Sequence, residues 1–233
     1  MARTIVALYD DLTMAQHVVN DLTAAGIPRD RISLVANDAT GEYSMYLRTY
    51  HPGDHVGPGE GTVFGASVGA LTGILVSLGT LAIPGVGPVI AAGPLVAGLT
   101  GAVTGAVAGG ATGGIVGGLI EMSVPEVEAR RYAEGVRRGG TLVSVQAMSN
   151  EVPQVEDILN RYNPVDIERR ATYWRESGWT NFDERGKPYP AEDITRDQAT
   201  YTSYDEKSPT QLSRTTNRRV RSYESDDERA ARV

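Results

Sequence analysis

Residues 61–120 contain no Asp, Glu, Lys, Arg or His, and glycine recurs through them at a fixed spacing. Gly61, Gly65, Gly69 and Gly73 form one row, Gly101, Gly105, Gly109, Gly113 and Gly117 another, with Gly110, Gly114 and Gly118 beside it. On a helix this spacing draws the glycines into one slowly drifting stripe. A stripe without side chains lets a second backbone approach closely, gaining dispersion and weak Cα–H···O contacts. Each interior glycine costs ~1 kcal/mol relative to alanine in water, so close packing or a bilayer has to compensate. Pro84-Gly85-Val86-Gly87-Pro88 divides the block. The pieces 62–83 and 95–120 each exceed the ~20 residues that cross a ~30 Å hydrocarbon core. The expectation is a glycine-zipper helical hairpin inserted in a membrane. The alternative is an assembly in which hairpins from several copies bury one another. Glu60 and Glu121 bracket the block, which keeps both ends on one side; an aromatic belt is not evident within it.

Outside the block the chain is polar and mixed in sign. A net charge of −7 over 233 residues, with no segregated basic face, argues against a nucleic-acid partner. Without cysteine there are no disulfides, thiolate metal sites or cysteine nucleophiles. The opening Met-Ala-Arg-Thr-Ile-Val-Ala-Leu-Tyr-Asp-Asp has too short an apolar run for a secretory signal, which places the start of the chain in the cytoplasm.

Residues 4–8 are a short strand ending at Asp10-Asp11. A helix follows, with Met14, Ala15, Val18, Val19 and Leu22 at helical spacing and Gly26 as its stop. A second strand at 32–36 completes a β-α-β unit. After the block, Ser123 and Glu126 read as a capping box, with Pro125 in the first turn and Gly139-Gly140 ending that helix. Thr141-Leu142-Val143-Ser144-Val145 then echoes Thr4-Ile5-Val6-Ala7-Leu8. Val152, Val155, Ile158 and Leu159 make a helix opened by Pro153, and 165–167 is the expected closing strand. Two such units predict an α+β fold, a ferredoxin-like four-stranded sheet with helices on one face, interrupted by the inserted hairpin. The chain thus divides into 1–40, the first half; 41–60, a loop; 61–120, the hairpin; 121–170, the amphipathic helix and second half; and 171–233. The last piece holds both tryptophans and, from about Arg185, a polar tail that cannot bury enough apolar surface to order itself.

Chemistry-bearing motifs are sparse. His51, Asp54 and His55 lie within a Pro-Gly loop without the helical spacing of a metal pair. His17 falls on the first helix as a surface residue, and capping accounts for Asp10-Asp11. The glycine rows lack the Gly-Lys-Ser/Thr ending of a P-loop. No catalytic, cofactor-binding or metal-ligating residues and no small-molecule substrate are therefore expected. Arg130, Arg131, Arg137 and Arg138 have two readings. One is contact with anionic headgroups, at ~1 kcal/mol per basic residue; the other is a solvated face paired with Glu126, Glu128 and Glu134.

Several runs resemble the bacterial general stress protein (heat-induced stress protein) family. They are Ala15-Gln-His-Val-Val19 with Leu22 and Ala25-Gly26, Asp30-Arg-Ile-Ser-Leu-Val-Ala36, Ile83-Pro-Gly-Val-Gly-Pro88, Ala91-Ala-Gly-Pro94, Val124-Pro-Glu-Val-Glu and Tyr132-Ala-Glu-Gly-Val-Arg-Arg-Gly-Gly140. The resemblance spans about 4–145. It implies a stress-associated bacterial protein, often membrane-associated, with no catalytic residues to carry over. The resulting expectation is a non-enzymatic protein at the bacterial inner membrane, its α/β domain cytoplasmic, self-associating as a homo-oligomer and contacting lipids. The alternatives are a cytoplasmic homo-oligomeric scaffold and a small-ligand sensor domain.

Overall fold

The computed structural model describes residues 2–41, 43–44, 79–101, 114–207 and 219–224. Strand β1 (Ala2–Tyr9) runs into Asp11, whose carboxylate accepts the Thr13 N–H at 2.6 Å and caps helix α1 (Leu12–Ala24). Gly26 ends α1 at φ 92, where a side chain would be strained. The Ile27 and Gly26 N–H groups return to the Leu22 and Thr23 carbonyls, each at 3.0 Å, so the last turn's orphan acceptors are satisfied. A short turn at Arg29–Arg31 leads into β2 (Ile32–Asn37).

Strands β3 (Gly79–Ile83) and β4 (Gly87–Ala92) follow as a hairpin. Pro84 and Gly85 occupy its corner; Gly85 sits at φ 77 and the Val86 N–H donates to the Ile83 carbonyl at 3.1 Å. This is the Pro-Gly arrangement of a type II turn. Next come α2 (Leu95–Gly101), α3 (Gly114–Glu121), α4 (Glu126–Arg137), β5 (Thr141–Met148), α5 (Val152–Arg161), α6 (Ile167–Glu176), α7 (Ala191–Lys207) and β6 (Arg221–Glu224).

The strands form one antiparallel sheet in the order β3-β4-β2-β5-β1-β6. Successive side chains of a strand point to opposite faces, and here both faces are covered. Ile5, Ala7 and Tyr9 pack with Val18, Leu22, Val155 and Leu159 under α1 and α5. Val6 and Leu8 pack with Leu95, Leu119, Tyr132, Val136 and Trp174 under α2, α3, α4 and α6. Gly135 lets α4 lie close on β1, since a Cβ there would stand 2.5 Å from Leu8 Cδ2.

Four expectations are corrected. The sheet has six strands rather than four, and helices cover both of its faces. Residues 79–83, expected to end the first helix, are strand β3, and the expected break at 84–88 is the turn and the start of β4 in a β-hairpin. The span 95–120 is not one helix: a Cβ on Gly98 would lie 2.7 Å from Gly118 Cα, although twenty helical residues extend ~30 Å. Helices α2 and α3 instead fold back on each other across those two glycines. Finally, residues after Arg185 are not all an unstructured tail. Helix α7 buries Ile194 and packs Tyr201 and Tyr204 on Tyr173; β6 pairs with β1 and buries Tyr223. That strand fills the place expected of 165–167, where Val165 contributes a single N–H to the Leu8 carbonyl at 2.7 Å and Ile167 already begins α6.

Candidate functional site

Helix α4 carries the arginines that the sequence singles out. No side chain caps its start: Pro125 is the N-cap, while Ser123 sits at φ 67 in the preceding turn, so the expected capping box with Glu126 does not form. Its end is as expected. Gly139 takes φ 94, and the Gly140 N–H returns to the Gly135 carbonyl at 2.9 Å.

Arg137 and Arg138, in and just after the last turn, are consumed by the C-terminal segment. Arg137 donates to the Lys187 carbonyl at 2.7 Å. Arg138 reaches Glu134 at 2.6 Å and Asp197 at 2.8 Å, with its guanidinium over the Trp174 and Tyr189 rings. Burial works against the Arg138 charge, but Glu134, Asp197 and Tyr189 outweigh it, and its pKa is raised. Glu134 is wholly buried. Arg138 therefore latches α7 to α4 and Arg137 the segment before it, and both are covered rather than presented to a headgroup.

Seven residues earlier, on the same face, Arg130 and Arg131 meet different company. Arg130 pairs with Glu126 at 2.8 Å and donates to the Phe182 carbonyl at 3.4 Å. Arg131 has no carboxylate partner among the described residues, and neither has Arg175 of α6, which reaches only the Thr172 hydroxyl at 3.4 Å. Together with Glu126, Val127, Trp179, Thr180 and Asn181 they line a cleft of about 350 Å³.

A second cleft, about 280 Å³, lies beyond the ends of β1 and β2, lined in part by Asp10, Asp11, Asn37, Thr141 and Gln198. Its polar groups are largely engaged by the fold. Asp10 takes two bonds from buried Arg170 at 2.7 and 2.9 Å, Asp11 caps α1, and the Asn37 amide donates to the Val136 carbonyl at 3.0 Å. His17 is exposed and stacks on Tyr162. Burial pushes the Tyr132 and Tyr223 phenols upward, and Tyr223 donates to Glu128. Among the described residues no group of three or more His, Cys, Asp or Glu stands together to hold a metal ion.

Of the expected packing glycines, Gly61, Gly65, Gly69, Gly73, Gly105, Gly109 and Gly113 lie outside the described residues, as do His51, Asp54 and His55. Gly101 ends α2 and Gly117 is buried in α3. The contact that is described joins Gly118, from the neighbouring row, to Gly98, which belongs to no row. Among the described residues no helix is long and apolar enough to cross a membrane. Ile83, Val86, Val89, Ile90, Leu95, Leu99, Ile115, Val116 and Leu119, much of the block's apolar bulk, are buried within the protein.

The remaining feature is the outer edge of the sheet. Among the described residues strand β3 pairs only with β4, and Gly79, Thr80 and Ala82 are exposed along it. Sequence reading missed this edge although Pro84-Gly85 between two short apolar runs is a hairpin signal. It also missed the Arg175–Trp179 wall, which only the return of the chain over α4 creates. No family model matches the sequence, and comparison with curated proteins and with solved structures likewise gives no match. The class defined by the coordinates is a mixed α/β protein built on one six-stranded antiparallel sheet.

Proposed function

We propose that this chain is a non-enzymatic protein that self-associates, and that a second copy docks on the β3 edge. The fold is read as a ferredoxin-like core, β1-α1-β2 with β5-α5-β6, in support of which β2-β5-β1-β6 are neighbours in that order. The β3-β4 hairpin extends it. A stress-associated role enters through the resemblance of the quoted runs alone.

The observation that carries the reading is the contrast between the two edges. Exposed edges template further strand pairing, and proteins blunt them with charge, proline or bulges. Strand β6 carries Arg221 and Glu224, paired to Glu168 at 2.7 Å and Arg3 at 2.9 Å. Strand β3, Gly-Thr-Leu-Ala-Ile, has no such guard. Two copies meeting antiparallel about Leu81 set Thr80 of each opposite Ala82 of the other. Five residues bury less than the ~1,000 Å² of a stable interface, so the proposed dimer is a transient one. Self-association is preferred to bilayer insertion because the block's described side chains already have a core to fill.

The test is native mass spectrometry of the full chain beside the double variant Thr80→Lys/Ala82→Lys. Lysines directly opposite each other repel. A parent dimer that the double variant abolishes supports the reading, and a parent that stays monomeric refutes it. Recovery of the parent in carbonate-washed membranes would replace it with the membrane reading.

A further inference from the structure

We propose that the cleft between α4 and the turn after α6 is a binding site for a phosphate monoester with an apolar or aromatic body. The inference is independent of how copies assemble.

The site is assembled by local rules. Helix α6 ends at Gly178, at φ 93, and the Trp179 N–H returns to the Trp174 carbonyl at 2.9 Å. That closure sets the Trp179 ring edge-on to buried Trp174, 5.6 Å between centroids. The chain then crosses back over α4, where Arg130 holds the Phe182 carbonyl. The result places Trp179 and Asn181 beside the first turn of α4, with Arg131 on one wall and Arg175 on the other.

Two features point to an oxyanion. First, three guanidinium groups line the cleft against the single carboxylate of Glu126, which is already paired to Arg130. In a chain of net charge −7 this is a local excess of positive charge. Arg131 and Arg175 have planar donor sets that match phosphate oxygens and are engaged by no carboxylate among the described residues. Second, α4 begins on this cleft with no side chain capping its first N–H groups, although Glu126 and Glu128 stand in its first turn. The apolar part of the ligand is specified by Trp179 and by Val127, which is 64% exposed at the rim. A free metabolite and a lipid headgroup share this chemistry.

Phenyl phosphate is the probe, titrated into the full chain by calorimetry and by tryptophan fluorescence, with phenol as control. Saturable one-to-one binding is expected. Arg131→Gln/Arg175→Gln should weaken it at least ~10-fold. Arg196→Gln, on exposed α7, should leave it unchanged. Thermal unfolding of each variant establishes that the fold is intact. Absence of binding up to ~10 mM, equivalent to under ~3 kcal/mol, overturns the proposal, as does equal affinity in the double variant. Vesicles with and without phosphatidylglycerol identify the source. Arginine-dependent vesicle binding that phenyl phosphate competes away assigns the headgroup, and phenyl phosphate binding without vesicle binding assigns a soluble ester.

Discussion

Replacing Gly98 with alanine adds one methyl group where the structure has no room for it. The new Cβ would lie 2.7 Å from Gly118 Cα, 3.1 Å from a Glu121 carboxylate oxygen and 3.4 Å from the Gly118 nitrogen. Its nearest neighbour is main chain, which cannot rotate away, so α2 and α3 must separate. Overpacking of this kind costs ~1–3 kcal/mol, against up to ~1 kcal/mol regained because alanine is the better helix former. Part of that gain is lost because α2 is only seven residues long. The expected net is ~1–2 kcal/mol of destabilisation. Gly118→Ala is the control within the same contact. Its Cβ would meet Leu95 Cδ1 at 2.8 Å, the far end of a flexible side chain, with the Leu95 carbonyl at an ordinary 3.4 Å. A leucine rotamer change relieves that clash, so the helix gain roughly cancels the cost. Urea unfolding of both variants beside the parent reads the difference as a midpoint shift at constant slope. Gly98→Ala as stable as Gly118→Ala, or more so, would refute the close backbone approach.

Arg138→Met should cost ~3 kcal/mol, the lower end for breaking a buried pair, because Glu134 is fully buried and keeps only Arg137, at 3.5 Å. The same variant should expose α7 to limited proteolysis, and a protease-resistant Arg138→Met chain would contradict the latch. The Arg31–Glu151 pair predicts a pH dependence. Arg31 donates twice to Glu151, at 2.8 and 2.9 Å, and with the Met148 N–H holds the carboxyl below its ordinary value of 4.5. A depressed carboxylate stabilises the fold above that unfolded value, and its contribution disappears as pH falls through the folded one. Partial exposure limits it to ~1 kcal/mol or less. Glu151→Gln should therefore be less stable than the parent at neutral pH and converge with it in acid; a gap that persists unchanged at ~pH 3 would contradict the assignment.

Elements whose signals are local were legible in the sequence. Helix α1 announced a cap at Asp11 or Thr13, of which the fold uses Asp11, and its stop at Gly26, and α4 its stop at Gly139-Gly140, because those bonds close within a few residues. Strands β1, β2 and β5 showed as β-branched runs. The hairpin of β3 and β4 did not, since β4 is buried along almost its whole length and lacks the polar alternation that marks a half-buried sheet, and β3 is a five-residue run without charge. Gly85 and Gly87 were read as a break between two helices rather than as a turn between two strands. Ile194, Tyr201 and Tyr204 of α7 do fall at helical spacing, but their polar neighbours hid the stripe. The partners that fix α7, Arg138 on Asp197 and Arg170 beneath Tyr201 at 3.6 Å, are remote in sequence. The candidate cleft was half legible. The basic face of α4 was visible, but which of its arginines stay available depends on where the later chain returns. Arg137 and Arg138 are covered by 183–207, whereas Arg131 is not paired with a carboxylate.

The two edges of the sheet also constrain what kind of assembly follows. A protein with two unguarded edges can add copies at both and grow without end, because head-to-tail contacts that do not close give filaments. Here β6 occupies one edge with four residues whose charges are answered within the same chain by Arg3 and Glu168. Its partner β1 is thereby satisfied along Arg3–Val6, and Val165 extends the cover to Leu8. Among the described residues only β3 remains open, and a surface meeting its own copy about a two-fold axis uses itself up. The C-terminal strand therefore does more than complete the sheet. On the proposed pairing through β3 it leaves one edge for a second copy, so removing 219–233 should change a closed dimer into an open series of larger species.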